Sequence, residues 1–322
     1  MKQIVTIDIG GTHARFAIAD VDATGAVTLG EATTFLTNHY PSLERAWSAY
    51  ADLLGQPLPK AVAISFAGPV HGDVLKLTNS SWLIRRADAG ASLGVETATL
   101  VNDFAAIGHA LAHVPADQLK QVCGPDVGLP ELGTISIIGP GTGLGVAHVL
   151  RTESGYHVNE TEGGHMDFSP LDAIEDQIVA ALRVKFGRVS AERVIAGPGL
   201  RNIYDVIAQG DEHRKSYDDD TLWGAALDGT DSLAVVALDR FCLSLGALAG
   251  DVVLAQGGSA VVIGGGNGLR LAERLAQSGF ALRFVSKGRF QAYMSAIPVK
   301  VLTHPQPGLL GAAAAYVVEH GA

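Results

Sequence analysis

Cysteine is nearly absent from this chain, which contains Cys123 and Cys242 among its 322 residues. Two cysteines are too few for a disulfide framework or a cysteine-based zinc site. Their scarcity is typical of proteins that work in a reducing compartment. We therefore expect a cytoplasmic protein whose stability comes from a hydrophobic core.

Basic residues are fewer than acidic ones, and no run of Lys and Arg occurs. Lys and Arg number 23 against 33 Asp and Glu, which gives a formal net charge of −10. This balance lacks the basic patches that attract nucleic acid or an anionic membrane surface. The most apolar stretch, residues 241–263, contains Asp251 and Gln256, so we predict a buried helix followed by a strand. We expect neither a nucleic-acid partner nor a membrane partner.

The two commonest phosphate-binding motifs are missing. No GxxxxGK[ST] segment occurs, which excludes a P-loop, and no GxGxxG lies between a strand and a helix, which disfavours a Rossmann cofactor site. Glycine is nevertheless abundant, with 39 residues against roughly 7% in an average protein. Any nucleotide site must therefore use glycine clusters of another kind.

Two such clusters interrupt β-branched runs. The run at 4–9 stops at Gly10-Gly11-Thr12 and resumes at residue 14, and the run at 134–138 stops before Gly141-Thr142-Gly143. Each pattern predicts a strand, a glycine turn and a second strand. Because each half of the chain begins in this way, we predict two related α/β domains.

The domain boundary is placed between the two halves. We predict a small domain over residues 1–113 and a larger one over residues 114–302, with a C-terminal helix at 303–322 that either completes the first domain or stays with the second. Residues 221–249 are predicted as one long helical region. Residues 264–268 (GGGNG) are predicted to precede a helix that begins at Leu269.

The two glycine turns have the residue types expected of a phosphate-binding site. Glycine lets a backbone approach a ligand closely, and exposed amides and threonine hydroxyls can donate to phosphate oxygens. Asp8 precedes the first turn and could hold Mg²⁺, directly or through water. The alternative is a pair of ordinary glycine hairpins.

Asn102 and Asp103 end another apolar strand. A carboxylate there could accept a proton from a reacting hydroxyl, and an amide could bind neighbouring hydroxyls. The alternative is that Asp103 caps the following helix. Glu192 has a similar alternative, in which it only complements the dipole of a helix that Ser190 caps.

Eight stretches together resemble the bacterial ATP-dependent glucokinases, a family with the actin–hexokinase–Hsp70 type of phosphotransfer fold. They run in order over nearly the whole length: DIGGTHAR, LTNSSW, VNDF, GPGTGLGVA, EGGHMDF, SAERVIAGPGL, KGRFQAYMSAIPV and HPQPGLLG. The resemblance implies an α/β fold with two ribonuclease-H-like, actin-like ATPase domains flanking an active-site cleft. It also implies a homodimer.

The resemblance implies transfer of the γ-phosphoryl group of ATP to the 6-hydroxyl of D-glucose, with Mg²⁺ and with Asp103 as the general base. It implies that glucose is bound by Asn102, Asp103, Glu162, His165, Glu192 and Asn79. It implies that ATP is bound by Asp8, Gly10, Gly11, Thr12, Gly141, Thr142, Gly143, Gly265 and Gly266, with Asp8 nearest Mg²⁺. The alternatives are a kinase for another hexose such as fructose or mannose, a non-catalytic sugar sensor, and an actin-like filament ATPase.

Overall fold

A computed structural model describes residues 1–68, 72–76 and 82–322. The strands, in chain order, are β1 (Lys2–Ile9), β2 (His13–Val21), β3 (Val27–Leu29), β4 (Thr33–Leu36), β5 (Ala61–Phe66), β6 (Val74–Lys76), β7 (Leu83–Arg85), β8 (Thr97–Asn102), β9 (Leu119–Cys123), β10 (Gly133–Pro140), β11 (Leu144–Thr152), β12 (Gly155–Thr161), β13 (Gly258–Ile263) and β14 (Val299–Leu302).

The α-helices are α1 (Leu43–Leu54), α2 (Ala89–Leu93), α3 (Asp103–Ala110), α4 (Ala173–Phe186), α5 (Ala191–Ile195), α6 (Gly197–Ile207), α7 (Asp219–Leu227), α8 (Ser232–Gln256), α9 (Gly265–Arg270), α10 (Ala272–Leu275), α11 (Phe280–Val285), α12 (Gln291–Ser295) and α13 (Pro307–His320). Short 3₁₀ helices lie between several of these elements, including one at Gly163–His165 between β12 and α4.

The chain divides into two compact units. Unit 1 consists of residues 1–115 together with 304–322, and unit 2 consists of residues 116–303. Each unit has its own six-stranded sheet and its own buried apolar cluster, and unit 1 also contains the two-stranded sheet of β6 and β7.

The sheet of unit 1 has the strand order β3-β2-β1-β5-β8, with β4 also paired to β2. β1 and β2 are antiparallel, whereas β1, β5 and β8 are parallel to one another. β5 is buried along its whole length, which explains its unbroken apolar sequence, since central parallel strands are covered on both faces.

The sheet of unit 2 repeats this order. Its strands run β12-β11-β10-β13-β14, with β9 added at the edge. β10 and β11 form the antiparallel hairpin, and β10, β13 and β14 are parallel. The internal repeat predicted from the two glycine hairpins is therefore present as a repeat of topology.

The C-terminal helix α13 packs in unit 1. The Thr6 hydroxyl of β1 donates to the Leu309 carbonyl oxygen at 2.7 Å. Gly311 lies so close to α3 that a Cβ on it would sit 1.7 Å from the Ala106 carbonyl oxygen. Only glycine allows the two helices this approach, and α13 thereby supports the helix that begins at Asp103.

Unit 2 differs from the prediction at its long helical region. Residues 221–249 belong to two helices, because Asp231 caps α8 and accepts from the N–H groups of Leu233 at 2.9 Å and Ala234 at 3.1 Å. α8 is long and apolar enough to span a membrane, but 67% of its most apolar window is buried inside the protein. The predicted order of buried helix and then strand over residues 241–263 is confirmed by α8 and β13.

Candidate active site

Parallel pairing brings the predicted residues of unit 1 to one edge of its sheet. Ile9 of β1 lies opposite Phe66 of β5, and Phe66 lies opposite Asn102 of β8. The Gly10–Thr12 turn and Asp103 follow directly, so both lie at carboxyl ends of strands in the same sheet. Open α/β sheets bind their ligands at this edge.

Hydrogen bonds from Thr37 fix the first glycine turn, Gly10–Thr12. Gly10 N–H donates to the His13 carbonyl oxygen at 2.9 Å. The backbone N–H of Thr37 donates to the Thr12 carbonyl oxygen at 2.9 Å, and its hydroxyl donates to that of Gly11 at 3.0 Å. Thr37 is buried and the Thr12 side chain is exposed, so the turn is fixed while Thr12 can reach a ligand. Sequence reasoning missed Thr37, which no local pattern marks.

Asp8 lies beside a cation and a helix start. Its Oδ2 pairs with Arg15 Nη1 at 3.3 Å, and its Oδ1 accepts from the Ser65 hydroxyl at 3.1 Å. A Cβ on Gly308, in the first turn of α13, would sit 2.5 Å from the Asp8 carboxyl carbon. Burial raises the pKa of Asp8, and Arg15 and Ser65 partly offset that rise.

This environment suits indirect contact with Mg²⁺. In the part of the chain that the structure describes, no group of three or more His, Cys, Asp or Glu side chains could hold a metal ion. Mg²⁺ typically keeps several waters and takes one or two carboxylates together with substrate phosphates. Asp8 could supply one such carboxylate, and because both its oxygens already have partners, it fits contact through water.

Asn102, rather than Asp103, caps α3. Its Oδ1 accepts from Phe104 N–H at 2.8 Å and Ala105 N–H at 3.2 Å, and its Nδ2 donates to the Gly68 carbonyl oxygen at 2.9 Å. Asp103 is the first residue of the helix, and its Oδ1 accepts from Phe104 N–H at 3.0 Å. The alternative in which Asp103 is the cap is therefore wrong.

The LTNSSW stretch is described only at its end. Asn79, predicted as a sugar ligand, lies outside the described residues. Trp82 is 1% exposed and donates from its ring nitrogen to the Tyr40 carbonyl oxygen at 2.8 Å. Trp82 is therefore a core residue of unit 1.

Unit 2 repeats the edge arrangement around the second glycine turn. Ile138 of β10 lies opposite Ile263 of β13, so the turn at 141–143 and the glycines at 265–266 both follow parallel strands. The predicted boundary of the following helix is wrong, because α9 begins at Gly265 rather than at Leu269. Gly265 and Gly266 thus form the first turn of a helix.

The second turn is anchored at its first residue. The Gly141 carbonyl oxygen accepts from Gly197 N–H at 2.7 Å and from the Asn267 amide at 3.2 Å. Gly141 N–H donates to the Gly143 carbonyl oxygen at 2.8 Å. Thr142 is exposed. Sequence reasoning missed Asn267, although it lies inside the glycine cluster at residues 264–268.

Glu162 and His165 lie on one short turn with exposed side chains. His165 Nε2 is 3.8 Å from Glu162 Oε2, and their side chains are 55% and 77% exposed, respectively. The intervening glycines approach β11 closely, because a Cβ on Gly164 would sit 1.9 Å from the Leu144 carbonyl oxygen. Arg188 Nη2 holds the His165 carbonyl oxygen at 2.6 Å. Both predicted side chains are therefore presented from a firmly anchored backbone.

Glu192 does more than complement a helix dipole. It lies in the first turn of α5, and its Oε2 accepts from Leu144 N–H at 3.0 Å. Ser190 is the N-cap of α5 but makes no side-chain capping hydrogen bond. The structure thus brings Glu192 to the end of the turn at 141–143.

Comparison with known proteins gives the same assignment from sequence and from fold. The family model described as Glucokinase matches residues 5–319. A curated glucokinase of Zymomonas mobilis is 60% identical over 315 residues, which cover 98% of this chain and 97% of that protein.

Two solved structures share the fold over nearly the whole chain. A glucokinase from an Antarctic psychrotroph is 30% identical with a TM-score of 0.85, and the match covers 98% of each chain. A glucokinase of Balamuthia mandrillaris, solved with glucose, is 20% identical with a TM-score of 0.78 and supports the fold alone; that match covers 98% of this chain and 93% of the other. The predicted α/β fold of the actin-like ATPase type is confirmed. With a family match over residues 5–319, this chain belongs to the bacterial glucokinase family.

Proposed function

We propose that this chain transfers the γ-phosphoryl group of ATP to the 6-hydroxyl of D-glucose, giving glucose 6-phosphate and ADP. The observation that carries the proposal is the shared carboxyl edge in unit 1. There Asp8 is the penultimate residue of β1, the Gly10–Thr12 turn follows β1, and Asp103 follows β8, in a sheet whose parallel strands are in register. Membership of the glucokinase family supports the choice of ATP and glucose.

Asp103 is the proposed general base. The transition state of phosphoryl transfer is loose, so the base chiefly orients the attacking hydroxyl and accepts its proton late. The backbone around Asp103 is held by the Asn102 cap and by the packing of α13 on α3. Such support favours catalysis, because the reacting group must keep its orientation.

The family resemblance supplies the remaining proposed ligands. Asn102, Glu162, His165 and Glu192 would bind the other glucose hydroxyls, and the family resemblance adds Asn79. The glycine-threonine turns and the start of α9 would bind ATP. When bound, Mg²⁺ would offset phosphate charge, with Asp8 reaching it through water. The family resemblance further supports a cytoplasmic homodimer, which light scattering of the purified protein would test.

The experiment is a measurement of ADP release with MgATP and glucose, fructose, mannose, galactose or no sugar. We expect strong turnover that depends on glucose. Turnover with another hexose alone would replace glucose as the substrate, and glucose binding without turnover would favour a sugar sensor.

Asp103→Ala tests the proposed base. We expect kcat to fall at least about 100-fold while glucose still binds, because general-base help is worth roughly 10²–10⁴-fold. Asp52→Ala removes an exposed carboxylate of α1 and is the control. Near-normal turnover by Asp103→Ala would reject Asp103 as the base.

A further inference from the structure

Glu192 contacts the glycine turn proposed to bind nucleotide. Leu144 N–H, immediately after that turn, donates to Glu192 Oε2 at 3.0 Å. A Cβ on Gly143 would sit 2.7 Å from the same oxygen. The carboxylate therefore fixes the C-terminal end of the turn. Gly197 N–H and the Asn267 amide fix its N-terminal end, because both donate to the Gly141 carbonyl oxygen.

The proposed sugar segment reaches the same residue. Gly164, between Glu162 and His165, lies against the Leu144 carbonyl oxygen, where a Cβ would come within 1.9 Å. Ala191 N–H, one residue before Glu192, donates to the Met166 carbonyl oxygen at 2.8 Å. Leu144 is thus bonded through its N–H to one proposed sugar ligand and packed through its carbonyl against the turn that carries two others.

The two carboxylate oxygens of Glu192 differ in their hydrogen bonding. Oε2 is engaged by Leu144 N–H, and Oε1 has no hydrogen-bond partner among residues 1–68, 72–76 and 82–322. Oε2 therefore anchors the turn through Leu144 N–H, and Oε1 can accept from a sugar hydroxyl.

We propose that Glu192 is a positioning residue for the nucleotide as well as a ligand of the sugar. Through Leu144 it holds the turn at 141–143 in the shape that binds ATP, and a sugar hydroxyl on Oε1 restrains the same carboxylate. Each substrate then tightens the binding of the other, since coupling between two ligands is reciprocal. This inference rests on the proposed function.

The test measures binding of Mg²⁺·AMPPNP by calorimetry in the absence of sugar. Glu192→Ala removes the acceptor, so we expect the nucleotide Kd to rise at least about fivefold, the lower end of typical couplings. Glu192→Gln keeps an acceptor oxygen for Leu144 N–H, so its nucleotide Kd stays within about twofold of wild type while glucose binding weakens. Arg193→Gln is the control in the same helix, because the Arg193 guanidinium lies over the Phe186 ring, 4.1 Å from its centroid.

An unchanged nucleotide Kd in Glu192→Ala, or an equal loss in both variants, would overturn the positioning role. If Glu192→Ala does not fold, exchange of the Leu144 amide in the wild-type protein decides the matter. We expect saturating glucose to slow that exchange, and an unchanged rate would contradict the coupling. Because the calorimetry uses no sugar, a failure of glucose turnover would overturn the proposed function without touching this result.

Discussion

Asn102 is proposed to bind glucose, yet its side chain already makes three hydrogen bonds within unit 1. Its Oδ1 accepts from the N–H groups of Phe104 and Ala105, and its Nδ2 donates to the Gly68 carbonyl oxygen. Loss of an N-cap costs about 1 kcal/mol, and loss of a further hydrogen bond costs about 1 kcal/mol. We therefore expect Asn102→Ala to lower the free energy of unfolding of unit 1 by about 2 kcal/mol, in addition to any loss of glucose affinity.

Asn102→Ser is the matched variant. Serine caps helices about as well as asparagine, but it cannot donate to Gly68 as the amide does. We expect Asn102→Ser to recover the capping half of the loss, about 1 kcal/mol. Since serine lacks the amide, both variants should weaken glucose binding, which separates the structural role from the proposed sugar contact.

Urea unfolding followed by tryptophan fluorescence is the assay. The chain has three tryptophans, and Trp47 and Trp82 belong to unit 1 whereas Trp223 belongs to unit 2. In a Trp223→Phe background, fluorescence therefore reports on unit 1 alone. Equal losses of stability in the alanine and serine variants of Asn102, or no loss in either, would refute the capping argument.

Two further predictions concern the support of α3. Gly311→Ala would place a Cβ 1.7 Å from the Ala106 carbonyl oxygen, so we expect the free energy of unfolding of unit 1 to fall by about 1–3 kcal/mol and kcat to fall with it. The control is Val318→Ala at an exposed position of α13, which should change neither quantity. Wild-type stability in Gly311→Ala would disprove this close approach. Burial, with a smaller effect of His113, lowers the pKa of His109 from 6.5 to about 4. The folded state therefore favours neutral His109, whose stabilising effect is complete above pH 6.5 and is lost as the pH falls towards 4, a change of about 3 kcal/mol. His109→Gln should flatten the dependence of the unfolding free energy on pH between about pH 4 and 6.5. An unaltered dependence would contradict the assignment of this pH effect to His109.

Local signals were sufficient to predict the two glycine hairpins. A β-branched run that stops at glycine and resumes after it is a pattern contained within about 20 residues. β1–β2 and β10–β11 follow that pattern, and the two sheets share one strand order around them. The interruption of the long helical region could also have been found, because Asp228-Gly229-Thr230-Asp231 combines a turn signal with a capping residue.

The supports of the proposed site could not be predicted in this way. Thr37 holds the first glycine turn from 26 residues away, and Asn267 holds the second from 126 residues away. Position 164, in a 3₁₀ turn, accommodates only glycine because the Leu144 carbonyl oxygen of β11 lies against it. Such contacts follow from the packing of separate elements, and no periodicity in the sequence records them.

In each unit, a side chain proposed to bind sugar also holds backbone N–H groups at the carboxyl edge of the sheet. Asn102 holds the first turn of α3, and Glu192 holds Leu144 after the glycine turn. These bonds restrict both side chains before a substrate arrives, so less conformational entropy remains to be lost on binding. They also mean that alanine at either position removes a structural bond together with a ligand contact. A fall in activity at Asn102 or Glu192 therefore identifies a sugar contact only when stability and nucleotide affinity are measured in the same variant.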